Sequence, residues 1–228
     1  MPPKRTKIPS NRPPNLAADR KRALELTSVS RETVERLDTF VALLLRWQAS
    51  INLISHASST ELWTRHVADS IQLHILLPEA RTWIDLGAGA GFPGMPIACA
   101  LAGKSGAAVH LVERNAKKAA FLREAVRETG VPAIVHCERI EDFTARFAGK
   151  ADAVTARALA PLDKLFTQAF PLLTKGAVGL FPKGQDVGAE LTDAAKCWKS
   201  EIELLPSRTD PRARIVIVRD LKKRPKPV

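Results

Sequence analysis

Residues 82–94, Thr-Trp-Ile-Asp-Leu-Gly-Ala-Gly-Ala-Gly-Phe-Pro-Gly, constrain the fold more than any other stretch of the chain. Trp83, Ile84 and Leu86 read as the end of a buried strand, with Asp85 near its carboxyl tip. Gly87, Gly89 and Gly91 then leave a loop almost bare of side chains. Gly94 and Ile97 to Leu101 read as the start of a helix. Pro93 and Pro96 fit there only in a first turn, whose N–H groups have no intrahelical partner. A strand, a glycine loop and a helix in this order let a ligand touch backbone directly.

Two ligands compete for such a loop. Gly89-x-Gly91-x-x-Gly94 has the dinucleotide spacing, and Glu113 lies near the ~20 residues downstream where a ribose-binding acid belongs. Asp85 argues against a dinucleotide, because a carboxylate beside the loop repels a pyrophosphate. S-adenosylmethionine has no phosphate and carries a sulfonium and an ammonium, so the same acid favours it. On this reading Asp85 holds the methionine end, the glycines the middle and Glu113 the ribose hydroxyls. The plainer alternative makes Glu113 a solvated strand end.

The rest of the chain alternates. Helices are expected over 15–27, from Arg31 to Ser50 with Ser30 as N-cap, and from Thr60 to Leu77. After the glycine loop come a strand at Val109 to Val112, a helix at Lys117 to Glu128 ended by Gly130, and a strand at Val131 to Cys137. A strand at Ala151 to Ala156, a helix at Leu162 to Leu173, a strand at Ala177 to Phe181 and a helix at Glu190 to Trp198 follow. Glu201 to Leu205 and Arg214 to Arg219 read as a closing pair of strands, with Ile215 to Val218 a buried β-branched run. The pattern predicts an α/β fold: a largely parallel sheet, helices on both faces and an antiparallel edge. Ligands of such sheets bind beyond the carboxyl ends of the strands. Asp85 to Gly91, Glu113, Ile140 with Glu141, Arg157 and Lys183 all fall there. The adenine ring is expected near Ile140 and Glu141, with Phe92 as an apolar wall.

Composition sets the class. With 228 residues, 45% of them hydrophobic, and no apolar run of ~18, the chain reads as a soluble globular protein rather than a membrane one. No apolar leader precedes it, so a cytoplasmic location is expected. Cys99, Cys137 and Cys197 form no C-x-x-C pair, which argues against a disulfide framework or a structural metal. Cys99 and Cys137 are expected in the core. The formal charge of +11 sits at the two ends, +6 in residues 1–22 and +6 in 208–228, while the body is near neutral. Basic ends suit nucleic acid, or merely keep the protein soluble. Residues 1–14 are Pro-rich and read as a disordered tail, 15–80 as a helical extension, 81–220 as the main domain and 221–228 as a basic tail.

One helix precedes the glycine strand and is expected to roof the site. It holds Arg65, His66, Asp69 and Ser70, with Arg65–Asp69 and His66–Ser70 as i,i+4 pairs. Arg65 with Asp69 could be an ordinary surface ion pair, and a lone helical His is more often structural than catalytic.

Taken together, Asn52-Leu53, Arg65-His66-x-x-Asp69-Ser70, Asp85-x-Gly87-x-Gly89-x-Gly91-x-Pro93-Gly94-x-Pro96, Phe121-Leu122-Arg123, Arg139-x-Glu141, Arg157-Ala158 and Lys183-Gly184 resemble the bacterial RsmG (GidB) family of small-subunit ribosomal RNA guanine-N7 methyltransferases. The likeness runs from about Val34 to Val218. It implies a Rossmann-like, seven-stranded, mostly parallel sheet of the class I S-adenosylmethionine-dependent methyltransferases with an N-terminal helical extension. It implies S-adenosyl-L-methionine contacts at Gly87, Phe92, Ile140, Glu141 and Arg157, and 16S ribosomal RNA in the small subunit as partner. A monomer is expected.

The chemistry agrees. Guanine N7 has a free lone pair and needs no general base, only alignment and a stabilised purine. The residues after the fourth strand are Thr155-Ala156-Arg157-Ala158, not the Asn/Asp-Pro-Pro-aromatic motif of exocyclic-amine methyltransferases. Arg157, Asp69 and Ser70 are therefore the candidates for positioning donor and base. Arg157 would bridge cofactor and guanine, or else merely pair with Glu141 or Asp85. Arg65, His66, Arg123, Arg139 and Lys183 are candidates for contacting RNA. The competing functions are a methyltransferase for another RNA, a protein or a small molecule, a nucleotide-dependent oxidoreductase, and an RNA-binding module without catalysis.

Overall fold

The structure, a computed structural model, describes residues 16–225. The expected tail at 1–14 lies outside the described residues, as do 226–228.

A helical layer comes first: α1 (Leu16–Thr27), α2 (Arg31–Gln48), a 3-10 turn (His56–Glu61), a π-helical stretch (Trp63–Ala68) and α3 (Asp69–Leu76). β1 (Thr82–Leu86), α4 (Gly94–Leu101), β2 (Ala108–Val112), α5 (Ala116–Thr129), β3 (Ala133–His136), α6 (Ile140–Arg146) and β4 (Ala153–Thr155) follow. The chain continues through α7 (Leu162–Leu173), β5 (Val178–Lys183), α8 (Val187–Cys197), β6 (Trp198–Pro206) and β7 (Arg214–Lys223). The seven strands form one sheet in the order β3-β2-β1-β4-β5-β7-β6. β1 to β5 run parallel, and β7 is antiparallel to both β5 and β6. The expected antiparallel edge is thus present, and strand order reverses between β1 and β4, where α/β sheets place their ligands.

The strands inside the sheet feed two cores. Trp83 packs toward α4 and α5, while Ile84 and Leu86 pack toward α6, α7 and α8. This period-2 alternation, with both faces apolar, is what a doubly covered parallel sheet requires. α2 lies over α4 and α5 through Leu37, Phe40, Val41 and Leu44, all buried. Ser30 caps α2, its side chain accepting from Thr33 N at 3.3 Å. Asn115 caps α5 by accepting from Lys117 N and Lys118 N, and Gly130 at φ +61° ends it. Among the described residues no helix is long and apolar enough to cross a membrane.

Three expectations need correction. The helix expected over Thr60 to Leu77 is a 3-10 turn, a π-helical stretch and a short α-helix. The reason is a distant side chain. Asp19 of α1, buried, accepts from Trp63 N at 2.7 Å, Thr64 N at 3.3 Å and Thr64 Oγ1 at 2.6 Å. These charge-assisted bonds hold the backbone where local propensity alone would continue an α-helix. Residues 221–223 are not tail: they belong to β7, and Leu221 is buried. Cys137 is exposed, and only Cys99 of the two lies in the core.

Candidate active site

A cavity of about 1600 Å³ opens at the carboxyl ends of the parallel strands, between the sheet and the helical layer. Drug-sized pockets run to about 1,000 Å³, so this one has room for a nucleotide-sized cofactor and a second group.

The glycine loop forms its floor. Gly87 N and Ala88 N both donate to Val112 O at 2.9 Å, which ties the loop to β2. Gly87 and Gly89 have positive φ, and both line the cavity. At Gly89 a Cβ would meet nothing nearer than Gly87 O at 3.7 Å, so this face of the loop is open to a ligand. Glu113, buried at the end of β2, accepts from Gly89 N at 2.9 Å and from Asn115 N at 2.7 Å. Each carboxylate oxygen keeps a second lone pair for a hydroxyl donor. Ile140 and Glu141 open α6 at the same rim. The Glu141 carboxyl is held below its ordinary range by its own backbone N–H and by Gln168, whose amide donates to it at 3.2 Å. A bare backbone floor, an acid at β2 and an apolar residue beside an acid at α6 fit S-adenosylmethionine.

The opposite wall is a cationic cluster. Arg157, just past β4, lies with its guanidinium carbon 5.3 Å from the centre of the Phe92 ring. Its Nη1 donates to Arg65 O at 2.9 Å and stands 3.6 Å from Asp69 Oδ2; its Nη2 is 2.5 Å from His66 Nδ1. His66 in turn stacks on Phe92, ring centres 5.0 Å apart. Arginine can only donate, so His66 Nδ1 accepts and the imidazole is neutral with its proton on Nε2. Burial, with Arg157 and Arg65 beside it, pushes the His66 pKa down to about 3. Burial also lowers the Arg157 pKa, opposed by the charges of Asp69 and Asp85, and raises that of Asp69 against Arg157, Thr209 and Ser207.

Most of the residues singled out in the sequence meet here: Asp69, Phe92, Glu113, Ile140, Glu141 and Arg157, with Gly87, Gly89, Arg65, His66, Arg139 and Lys183, all line the cavity. Four do not. Asp85 is fully buried, and its Oδ2 accepts from Gly94 N at 2.9 Å at the start of α4. Burial pushes its pKa up to about 7, against the Gly94 N–H. Its carboxylate is not part of the cavity lining, where the expected contact to a methionine end would require it. Gly91 faces inward, where a Cβ would meet Met95, Phe40 and Leu122 at 2.8–3.2 Å. Ser70 is fully buried and donates to His66 O at 2.5 Å, so it braces the π-helical stretch rather than touching a substrate. Arg123 is exposed on α5 outside the cavity lining.

Pairings differ too. The π-helical stretch carries Asp69 N to Thr64 O, one residue further back than an α-helix would. Arg65 approaches Glu61 at 4.0 Å, and Asp69 faces Arg157 instead. Arg157 pairs with neither Glu141 nor Asp85 by direct contact among the described ion pairs. Lys183 is not a free phosphate contact. Its ammonium donates to Ala160 O at 2.7 Å and lies 2.7 Å from Glu190, which accepts from Leu162 N. Lys183 thereby braces the loop after β4, whose Leu159 packs against Gly87. Arg139 approaches Glu141 at 3.5 Å and is otherwise exposed at the rim.

Sequence reasoning missed several cations. Arg114 and Lys118 line the cavity directly after Glu113. Arg208 and Arg212 line it from the β6–β7 turn, and Arg214 from the start of β7. β6 runs parallel to β5, so its carboxyl end reaches the same rim; counting strand directions would have found them. Among the described residues no group of three or more His, Cys, Asp or Glu side chains could hold a metal ion.

This sheet order and this cavity define the class I, S-adenosylmethionine-dependent methyltransferase fold. Solved structures share it: an O-methyltransferase from Bacillus cereus in complex with SAH (TM-score 0.59, 15% identity, 89% of this chain and 97% of that one), and the O-methyltransferase TomG from Streptomyces achromogenes in complex with SAM (TM-score 0.58, 16% identity, 89% and 95%). At such identities the likeness is one of fold. The chain belongs to the GidB family, described as rRNA small subunit methyltransferase G, which it matches over residues 33–209. Relatives named ribosomal RNA small subunit methyltransferase G include that of Bradyrhizobium sp. strain BTAi1, 57% identical over 203 residues (89% of this chain, 91% of that protein). That of Rhodopseudomonas palustris strain BisB18 is 59% identical over 204 residues (90% and 87%).

Proposed function

We propose that this protein transfers a methyl group from S-adenosylmethionine to N7 of a guanine in 16S ribosomal RNA of the small ribosomal subunit, acting as a cytoplasmic monomer. The carrying observation is the Arg157–Phe92–His66 cluster facing the glycine loop across one cavity. Bound there, S-adenosylmethionine supplies an electrophilic methyl on its sulfonium. The chain's residues supply binding and alignment. Glu113 accepts the ribose hydroxyls, Gly87 and Gly89 present backbone, and Ile140 with Phe92 forms apolar walls.

N7 carries its lone pair in the plane of the purine and loses no proton on attack. The site suits such a reaction. The His66 nitrogen that could take a proton already accepts from Arg157, and Asp69 is committed to Thr209, Gln72 and Arg157. Arg157 keeps guanidinium donors for guanine O6, which orients the base. The rim cations Arg65, Arg139, Arg114 and Lys118 suit RNA phosphates, and a base reached this way must leave its stack. Residues 81–220 would form the catalytic unit and 15–80 its roof.

Labelled methyl transfer to small ribosomal subunits from cells lacking this protein tests the reading, with deproteinised RNA alongside. Label in the RNA, released by the depurination and strand cleavage that N7-methylguanine permits, is expected. Binding of S-adenosylmethionine without label in either acceptor would overturn the acceptor assignment.

A further inference from the structure

Asp69 is the hinge between two parts of the cavity wall. Its Oδ2 faces Arg157, while its Oδ1 collects donors from elsewhere: Gln72 Nε2 at 2.7 Å, Thr209 Oγ1 at 2.9 Å and Ser207 Oγ at 3.5 Å. Ser207 and Thr209 lie in the turn between β6 and β7, some 140 residues along the chain. The turn is itself fastened. Gln72 Oε1 accepts from Arg208 N at 3.0 Å, Gln72 Nε2 also donates to Ser207 Oγ at 3.2 Å, and Ser207 Oγ accepts from Thr209 N at 3.1 Å. Gln72 and Ser207 are buried.

We propose that Thr209 and Gln72 are positioning residues for methyl transfer: they fix Asp69 as the charged counter-ion that holds Arg157 over Phe92. The proposal rests on the reading of the site as one where Arg157 aligns the base. The Asp69 side chain is only 15% exposed, so its donors and Arg157 are what offset the cost of its charge. The charged group that acts on it directly is Arg157 past β4; Arg65 and His66 on the preceding π-helical stretch and Asp210 with Arg212 on the turn line the same cavity. Asp85 acts by its charge on Arg157. Among the described residues Arg157 is the cation paired with it, and the hydroxyl of Thr209 is a neutral donor that favours the carboxylate over the acid. Without that hydroxyl the carboxyl takes up a proton at higher pH, and Arg157 loses its partner there. Arg208 and Arg212 lie on the same turn, so the element that anchors Asp69 also faces the substrate entrance.

Thr209→Val removes the hydroxyl at nearly constant volume, Thr209→Ala removes it with less crowding, and Thr209→Ser keeps it. Single-turnover methyl transfer to small ribosomal subunits is measured from pH 5.5 to 8.5, with S-adenosylmethionine affinity, KM for the subunit and Tm alongside. The Asp69 carboxyl is titrated in parallel by carbon NMR. Thr209→Val and Thr209→Ala are expected to lower kcat on the acid limb of the profile by about tenfold, the usual weight of one bond to a charged group. The acid limb and the Asp69 titration should move up together by about one pH unit, cofactor affinity should stay put, and Thr209→Ser should restore both. An unmoved acid limb and an unmoved carboxyl titration in folded Thr209→Val and Thr209→Ala would overturn the proposal, as would a loss confined to Tm. Failure of the wild-type protein to label the subunit would refute the function reading instead, and the carboxyl titration then decides this proposal by itself.

Discussion

Replacing Asp85 by Asn should make the protein more stable at neutral pH and less sensitive to pH. Asp85 is fully buried, accepts one hydrogen bond from Gly94 N at 2.9 Å, and leaves Oδ1 without a partner. Burial pushes its pKa from 3.8 up to about 7. The folded state therefore binds a proton that the unfolded chain releases. Stability from this group is fully present below pH 3.8 and is lost as pH rises through about 7. A shift of roughly three units at ~1.4 kcal/mol each gives a loss of order 4 kcal/mol across that window. Asn is neutral at every pH, and its amide oxygen can still accept from Gly94 N. Urea unfolding of both proteins at unit steps from pH 4 to pH 8 measures the difference, in which all other titrations cancel. The wild type should fall progressively below Asp85→Asn as pH rises, then run parallel above pH 7.5. A difference independent of pH would refute the reasoning, because Asp85 would then keep its charge when buried.

Arg157→Lys should lower kcat about a hundredfold with cofactor affinity nearly unchanged, since one ammonium cannot reach Asp69, Arg65 O and His66 at once; single-turnover rates and calorimetric binding check this. Gly94→Ala should cost about 2–4 kcal/mol in urea unfolding, because its Cβ would stand 2.7 Å from Asp85 Oδ2 and press into the buried side chain of Leu111. Lys183→Met should cost about 1–3 kcal/mol and reduce methyl transfer more than cofactor binding, by releasing Ala160 O in the loop after β4 and leaving Glu190 of α8 without its cation.

The fold was legible because its signals are local. Apolar runs such as Ile215 to Val218 mark strands buried on both faces, and Ser30, Asn115 and Gly130 punctuate helices by rules that act within a few residues. The cavity was legible because strand ends converge in any parallel sheet, which places Glu113, Ile140 and Arg157 together without further information. What escaped depends on partners far along the chain. Nothing near Trp63 foretells a π-helical stretch, since the acid that enforces it is Asp19. Asp69 reads as the i,i+4 mate of Arg65 until Thr209 and Arg157 are seen to claim it. Asp85, Gly91 and Ser70 sit within the right motifs, yet their side-chain directions follow from how α4 and the helical layer pack, which no motif encodes. Lys183 has the residue type of a phosphate contact, but a carbonyl and a carboxylate brought together by the fold already occupy it.

Insertion of β7 between β5 and β6 gives the molecule an order of assembly. Ribosomes release the chain from its amino end, so the glycine floor and Asp69 emerge long before the turn that holds Thr209. Closing a contact over 140 residues is slow compared with forming hairpins and helices. A partly made chain could form its cofactor floor while Asp69 still lacked the hydroxyls that keep it charged and Arg157 still lacked its anchor. On the proposed roles of Asp69 and Thr209, the anchor of Arg157 is complete only once the hairpin closes. For a protein whose proposed substrate is part of the machine that synthesises it, competence arrives only with completion.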